Sequence, residues 1–234
     1  METSTLEEHA RNIRIKTLDS LYKAQSGHVG PSLSIVEVLT TLYFDEMNLD
    51  SEEVTERDVL VLSKGHAAPS LYATLAERGL LEESLLDTLR DINSPLQGHP
   101  ERHRLTYVDA TTGSLGQGLA MAQGYALAKK LSGESDNVYC IIGDGETQEG
   151  QIWETAMSAP KFKLDNLFVF TDYNKFQNEC SIAETMPLDD LGDKWRAFGW
   201  DVYEIDGHDY DQIKKAIADG GSPNGKPTMI IANT

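Results

Sequence analysis

Short apolar runs alternate along this chain with longer stretches in which apolar side chains recur every three or four positions. Val59-Leu60-Val61-Leu62, Val138 to Ile142, Leu167 to Phe170, Trp200 to Ile205 and Thr228 to Ala232 read as buried strands. Leu6, Ile13, Leu18, Leu21 and Tyr22 among charges predict an amphipathic helix over 5–25, ending in the loop Ser26-Gly27-His28-Val29-Gly30-Pro31. Ser34 followed three positions later by Glu37 has the spacing of a capping box for a helix from Ile35 to about Phe44. Further helices are predicted over 67–78, stopped by Gly79, and over 82–92, with Leu85, Leu86, Leu89 and Ile92 on the apolar side. After a loop-rich segment over 93–112, Gly113-Ser114-Leu115-Gly116-Gln117-Gly118 opens an Ala-rich helix to about Leu131, predicted to be buried. Helices over 188–198 and 210–218 complete the pattern, which is that of an α/β protein with a mostly parallel sheet flanked by helices.

The segment 138–177 organises the rest. Its first strand stops at Gly143-Asp144-Gly145, a helical stretch follows, and the second strand ends at Asp172-Tyr173-Asn174. Strand, helix, strand at this length is a right-handed βαβ unit with parallel strands. If the strands are neighbours, Asp144 and Asn174, thirty positions apart, meet at the carboxyl end of the sheet, where such folds bind ligands. Both offer side-chain oxygen, the donor a hard cation prefers.

At 234 residues the chain has room for one large domain or two small ones, and no linker or repeat divides it. A net charge of −18 argues against nucleic-acid or anionic-membrane partners. Two cysteines, Cys140 and Cys180, are too few and too far apart for a disulfide framework or zinc ribbon, which points to a reducing compartment. With no signal peptide or long apolar span, a cytoplasmic location is expected. Four of the six histidines follow glycine directly: His28, His66, His99 and His208. Glycine lets backbone approach a ligand closely, and histidine carries protons near neutral pH.

Gly143-Asp144-Gly145 with Gln148-Glu149-Gly150, and Asn174 at the end of the next strand, resembles the thiamine diphosphate motif. Ser26-Gly27-His28, Lys64-Gly65-His66-Ala67, Gly98-His99-Pro100-Glu101 and Thr111-Thr112-Gly113-Ser114-Leu115-Gly116-Gln117-Gly118 stand beside it in transketolase order. The whole chain resembles the diphosphate-binding half of transketolases, above all the N-terminal subunit of split ones.

The resemblance implies a single thiamine diphosphate-binding domain over 1–234 and assigns roles to residues. Asp144, Asn174 and the carbonyl of Phe176 would hold Mg2+ (or Ca2+ or Mn2+), with diphosphate and water completing the shell. His66, Gly113, Ser114, Leu115, Gly143, Gly145 and Glu146 would join Asp144 and Asn174 around the cofactor, with Gly145 giving its N–H to the diphosphate. His28, His66, His99 and Glu149 are the catalytic candidates, the histidines moving protons near developing alkoxides. Glu149 and Glu154 match carboxylates at the family's subunit interface, and ordinary solvated or core roles stay open for Glu154 and Leu115. Tyr173, Lys175 and Cys180 are expected to be structural, and His208 to serve a turn.

Ser114 stands where many family members have proline, which leaves that loop less rigid. The pyrimidine-binding and C-terminal domains have no counterpart here, so the expected enzyme is an α2β2 assembly with a separate C-terminal transketolase subunit. It would pass a two-carbon ketol unit from a ketose donor to an aldehyde acceptor through thiamine diphosphate, and this chain alone would be inactive. Two alternatives stay open: a specialised biosynthetic two-carbon transferase with a carrier-bound or modified-sugar acceptor, and a non-catalytic cofactor-binding regulatory half.

Overall fold

The five apolar runs all become strands of one sheet: β1 (Val59–Leu62), β2 (Val138–Gly143), β3 (Leu167–Tyr173), β6 (Asp201–Asp206) and β7 (Thr228–Asn233). Between β3 and β6, two short strands, β4 (Phe176–Gln177) and β5 (Cys180–Ser181), pair antiparallel with each other. The sequence pattern does not predict this pair. The computed structural model describes residues 1–177 and 180–234. The large sheet has the order β1-β2-β3-β7-β6, and every pairing in it is parallel.

A parallel sheet is covered on both faces, and the strand residues divide accordingly. Leu60, Leu62, Tyr139, Ile141, Phe168, Phe170 and Ile230 enter one core, with helices α3 (Val36–Thr41), α4 (Ala68–Glu77) and α9 (Tyr210–Gly220). Val61, Cys140, Ile142, Val169 and Met229 enter the other, with α5 (Gln117–Ser132), α6 (Gly150–Lys161) and α8 (Leu191–Ala197). The chain steps from β2 to β3 through α6 on one face, then from β6 back to β7 through α9 on the other. Right-handed crossovers require that change of face when the strand order reverses. The first helix, α1 (Thr3–Ala24), packs on α4, α3 and the short α2 (Val29–Leu33), with Leu6, Ala10 and Ile13 sealing a third cluster. One more short helix, α7 (Ile182–Thr185), follows β5.

Three sequence expectations are corrected. Residues 82–92 are not an α-helix: only Glu83–Thr88 coil, as a 3-10 helix, and Ile92 is 92% exposed rather than packed. Arg90 and Asn93, at φ 66° and 69°, turn the chain away just after this short coil. The capping box is not made. Ser34 is helical, its N–H bonds to the Gly30 carbonyl, and its hydroxyl donates to Pro31 O and to Asp172 Oδ2. The Ala-rich α5 buries one face, through Gly118, Leu119, Ala122 and Ala126, while Met121 and Leu131 stay exposed.

Candidate functional site

The carboxyl ends of β1, β2 and β3 lie side by side because Leu62 registers with Ile141 and Gly143 with Asp172. At the end of β2, Asp144 begins a tight 3-10 turn over Gly145–Gln148, and α6 starts at Gly150. The Asp144 carboxylate is buried, at 2% exposure. It accepts the Gly145 N–H at 2.7 Å and the Lys175 N–H at 2.6 Å. Among the described residues no Lys, Arg or His is ion-paired with it. Burial pushes this carboxyl up to about 6; the two N–H groups and Lys64 oppose that, and the Asp172 charge adds to it. Asn174 follows β3, with its Oδ1 accepting the Phe176 N–H at 2.9 Å and its Nδ2 donating to Asp172 at 2.9 Å. Asp144 and Asn174 thus reach the same end of the sheet, as the topology requires.

Asp172 is the acceptor for a buried network. It is ion-paired with Lys64, and Ser34 Oγ (2.8 Å) and Thr234 Oγ1 (2.6 Å) also donate to it. Burial alone raises the Asp172 carboxyl, but the Lys64 charge and these hydrogen bonds outweigh it and hold it below the usual range. Lys64 Nζ also donates to Pro31 O at 3.0 Å, tying the loop that bears His28 to the sheet.

Over these strand ends opens a cavity of about 1080 Å3. Asp144, Gly145, Asn174 and Phe176 form one part of its wall, and His28, His66, Gly113 and Leu115 another. Gly143, Glu146 and Glu149 also reach it. The His28 and His66 rings meet edge to face at 5.3 Å between centroids. His66 is pushed down to about 4, first by burial and then by Lys64, His28 and His99, so the ring is neutral at pH 7. His99 is also lowered, by burial and then by Arg90 and His28. Two candidates do not line the cavity: Ser114, whose hydroxyl accepts from Gln117, and His99. His99 stands directly behind Gly113, where a side chain on that residue would come within 3.2 Å of its ring. Gly113 has a φ of 150°, so glycine is needed there for backbone as well as for space.

Glu146 reaches the cavity, but its carboxylate is taken up by protein donors. Ser63 Oγ and the Gly116 N–H (2.8 Å) donate to one oxygen, and the Gly143 N–H (3.0 Å) to the other. It therefore fastens the Gly113–Gly118 turn to the ends of β1 and β2. Helix α5 follows that turn and can lie close to β1 because Gly118 has no side chain: a Cβ there would sit 2.6 Å from Ser63 Cα. His208 lies apart from the cavity and pairs with Glu37 at 2.9 Å, in keeping with a turn role. The sequence reading did not single out Asp172, Lys64, Gln148 or Gln177. The two glutamines also line the cavity and bond to each other at 2.6 Å. Lys64, two residues past the end of a buried strand, is the one signal that could have pointed to the network.

The family described as "Transketolase, thiamine diphosphate binding domain" matches residues 5–234. The chain belongs to the transketolase family. This transketolase chain is 50% identical over 231 residues to the 6-deoxy-6-sulfo-D-fructose transketolase subunit SqwG of Clostridium sp. (strain MSTE9), covering 98% of itself and 84% of that protein. It is 42% identical to an apulose-4-phosphate transketolase subunit of Actinobacillus succinogenes, with the same coverage of both chains. Transketolase from Campylobacter jejuni superposes with a TM-score of 0.91 at 34% identity, over 100% of this chain and 38% of that one. The resemblance drawn from the motifs therefore holds. The chain is an N-terminal, thiamine diphosphate-binding transketolase subunit of the split type, and its activity is of the transketolase kind, exercised with another subunit. Among its described residues, no helix is long and apolar enough to cross a membrane.

Proposed function

We propose that residues 1–234 form the diphosphate-binding domain of a two-chain transketolase, and that Asp144, Asn174 and the Phe176 carbonyl hold its divalent cation, Mg2+ by preference. The observation that carries this reading is the Asp144 carboxylate, buried at the cavity wall beside Asn174 with no cationic side chain among the described residues paired to it. A buried charge is stable only when paired, so a bound cation is the missing partner. The donors are all oxygens, as Mg2+ demands. Gly145 at the head of the turn also lines the cavity, and its N–H, now bonded to Asp144 Oδ1, would turn to a diphosphate oxygen when the cofactor binds.

Thiamine diphosphate, when bound, supplies the carbon nucleophile that cleaves the ketose and carries the two-carbon unit. This chain orients and protects that chemistry. His66 is neutral, so it can both accept and donate a proton on the cavity side, and His28 lies against it. In this reading His99 acts from behind Gly113, whose carbonyl would receive the cofactor's amino group. Leu115 offers apolar surface, while Ser114 and Glu146 support the turn rather than touch the cofactor. Glu149, exposed at the start of α6, would meet the partner chain.

The partner is a C-terminal transketolase subunit bearing the pyrimidine-binding domain, in an α2β2 assembly. The similar chains are themselves named as subunits and are covered to 84% of their length, which supports such a division. Two free cysteines, one of them exposed, suit a cytoplasmic setting. The relatives are named for ketoses with an anionic end, 6-deoxy-6-sulfo-D-fructose and apulose 4-phosphate, and a donor of that class is our proposal here. The test is to co-purify the partner, then assay the pair with thiamine diphosphate and Mg2+ against sulfonated and phosphorylated ketoses. Cleavage of one donor class, dependent on both additions, is expected. Turnover without either addition would overturn the reading.

A further inference from the structure

Asn174 must present its amide oxygen, not its NH2 group, if it is to ligate a cation. The two ends of a carboxamide have nearly the same shape, so hydrogen bonds alone decide which end faces where. Here both contacts agree. Nδ2 donates to Asp172 Oδ2 at 2.9 Å, and Oδ1 accepts the Phe176 N–H at 2.9 Å. An ionised carboxylate can only accept, so Asp172 admits the NH2 end and excludes the oxygen end.

Asp172 is itself held from several sides. Lys64 and Ser34 donate to the oxygen that receives Asn174, and Thr234 donates to the other at 2.6 Å. Lys64 and Asp172 are both almost completely buried, at 1% exposure each. Through its bond to Pro31 O, Lys64 also links this carboxylate to the loop that begins with Gly27 and His28. The network thus joins a proposed cation ligand just past β3 to the histidine loop across the cavity.

We propose that Asp172, anchored by Lys64, is a positioning residue that fixes the Asn174 carboxamide with its oxygen turned to the cation site. This role presupposes the cation site proposed above and extends it to two residues that are not ligands. A purely structural ion pair would move stability and leave cation affinity unchanged, so affinity is the deciding measurement.

The test uses the complex with its partner chain and follows thiamine diphosphate binding by calorimetry as Mg2+ is varied. Asp172→Ala should raise the Mg2+ concentration for half-saturation by about 10- to 100-fold, the usual range for groups that orient a metal ligand. Asp172→Asn puts an oxygen acceptor back at the same place and should recover most of that loss. Asp172→Ala leaves Lys64 buried without its counter-charge and can fail to fold. The double variant Asp172→Leu/Lys64→Met removes both charges, a replacement that buried pairs often tolerate, and reads the same contact. Native Mg2+ affinity in either folded variant overturns the proposal, as does an Asp172→Asn complex no better than Asp172→Ala. If the native complex binds the cofactor without any Mg2+ dependence, the cation site itself falls and this role falls with it. That result is distinct from native affinity in the variants.

Discussion

Two aspartates stand at the ends of neighbouring strands, both buried, and the protein treats them in opposite ways. Asp172 ends β3 with a lysine, two hydroxyls and a carboxamide donating to it, and its carboxyl is held below the usual range. Asp144 ends β2 with two backbone N–H groups and no cationic partner among the described residues, and burial pushes it up to about 6. The first is satisfied within the fold. The second is left with a charge that burial disfavours, which the proposed cation would offset. Two aspartates with almost no exposure thus differ in whether the fold itself supplies a counter-charge.

Breaking the first member gives the largest effect. Lys64→Met strips Asp172 of its counter-charge, and removing one partner of a buried pair is expected to destabilise the chain by about 3–5 kcal/mol. Urea unfolding measures it; a loss under about 1 kcal/mol would mean the pair is solvated in solution. Breaking the second member should move function and not stability. Asp144→Asn should weaken Mg2+-dependent cofactor binding at least about a hundredfold, or about 2.7 kcal/mol. Without ligands the same variant should unfold no more easily than the native chain, because it removes a charge that burial disfavours. Unchanged affinity in that variant would remove Asp144 from the cation site. The third measurement sharpens the contrast. Mg2+ and thiamine diphosphate at a hundredfold excess over Kd should stabilise the native complex by about 2.7 kcal/mol, and the Asp144→Asn complex hardly at all. An equal shift in both would show that the cation is not the missing partner of Asp144.

Much of this comparison was legible in the sequence on one side only. Asp144 announced itself, because a carboxylate between two glycines after an apolar run marks a strand end with room beside it. The pairing of Asp144 with Asn174 followed from the βαβ rule, and the register of Gly143 with Asp172 bears it out. Asp172 stayed hidden because it comes at the end of a run, Leu167 to Phe170, that reads as ordinary strand. Its partners Ser34, Lys64 and Thr234 lie up to 138 positions away, so only the folded chain brings them together. The same reason explains Ser34, whose spacing to Glu37 suggested a local cap while its hydroxyl serves a distant carboxylate. The resemblance put Glu146 among the cofactor-binding residues. It does line the cavity, but the turn folds its carboxylate onto Ser63, Gly116 and Gly143, contacts that spacing along the chain does not reveal. In residues 82–92 the apolar spacing was helical, but Arg90 and Asn93 adopt left-handed backbone and end the coil.

The smallest effect is a pH dependence in which the two strand ends oppose each other. His66 is shifted from 6.5 down to about 4, by burial first and then by Lys64, with Asp172 partly offsetting. Between those values an unfolded chain takes up a proton at this residue and the folded chain does not. His66 therefore contributes stability that is complete above about pH 6.5 and is lost as pH falls through about 4. Asp144 has the reverse sign. Its folded value of about 6 exceeds the ordinary 3.8, so the folded chain takes up that proton first, and stability is gained as pH falls through this window. The two slopes cancel in part over the shared range, which is why the native chain alone is a poor reporter. His66→Gln should leave a ligand-free chain whose stability rises more on acidification from pH 6.5 to 4 than the native chain's does. Asp144→Asn should leave one whose stability falls more. Urea midpoints across that range decide the matter. Identical pH profiles for native and His66→Gln chains would mean that burial and Lys64 do not suppress the His66 charge.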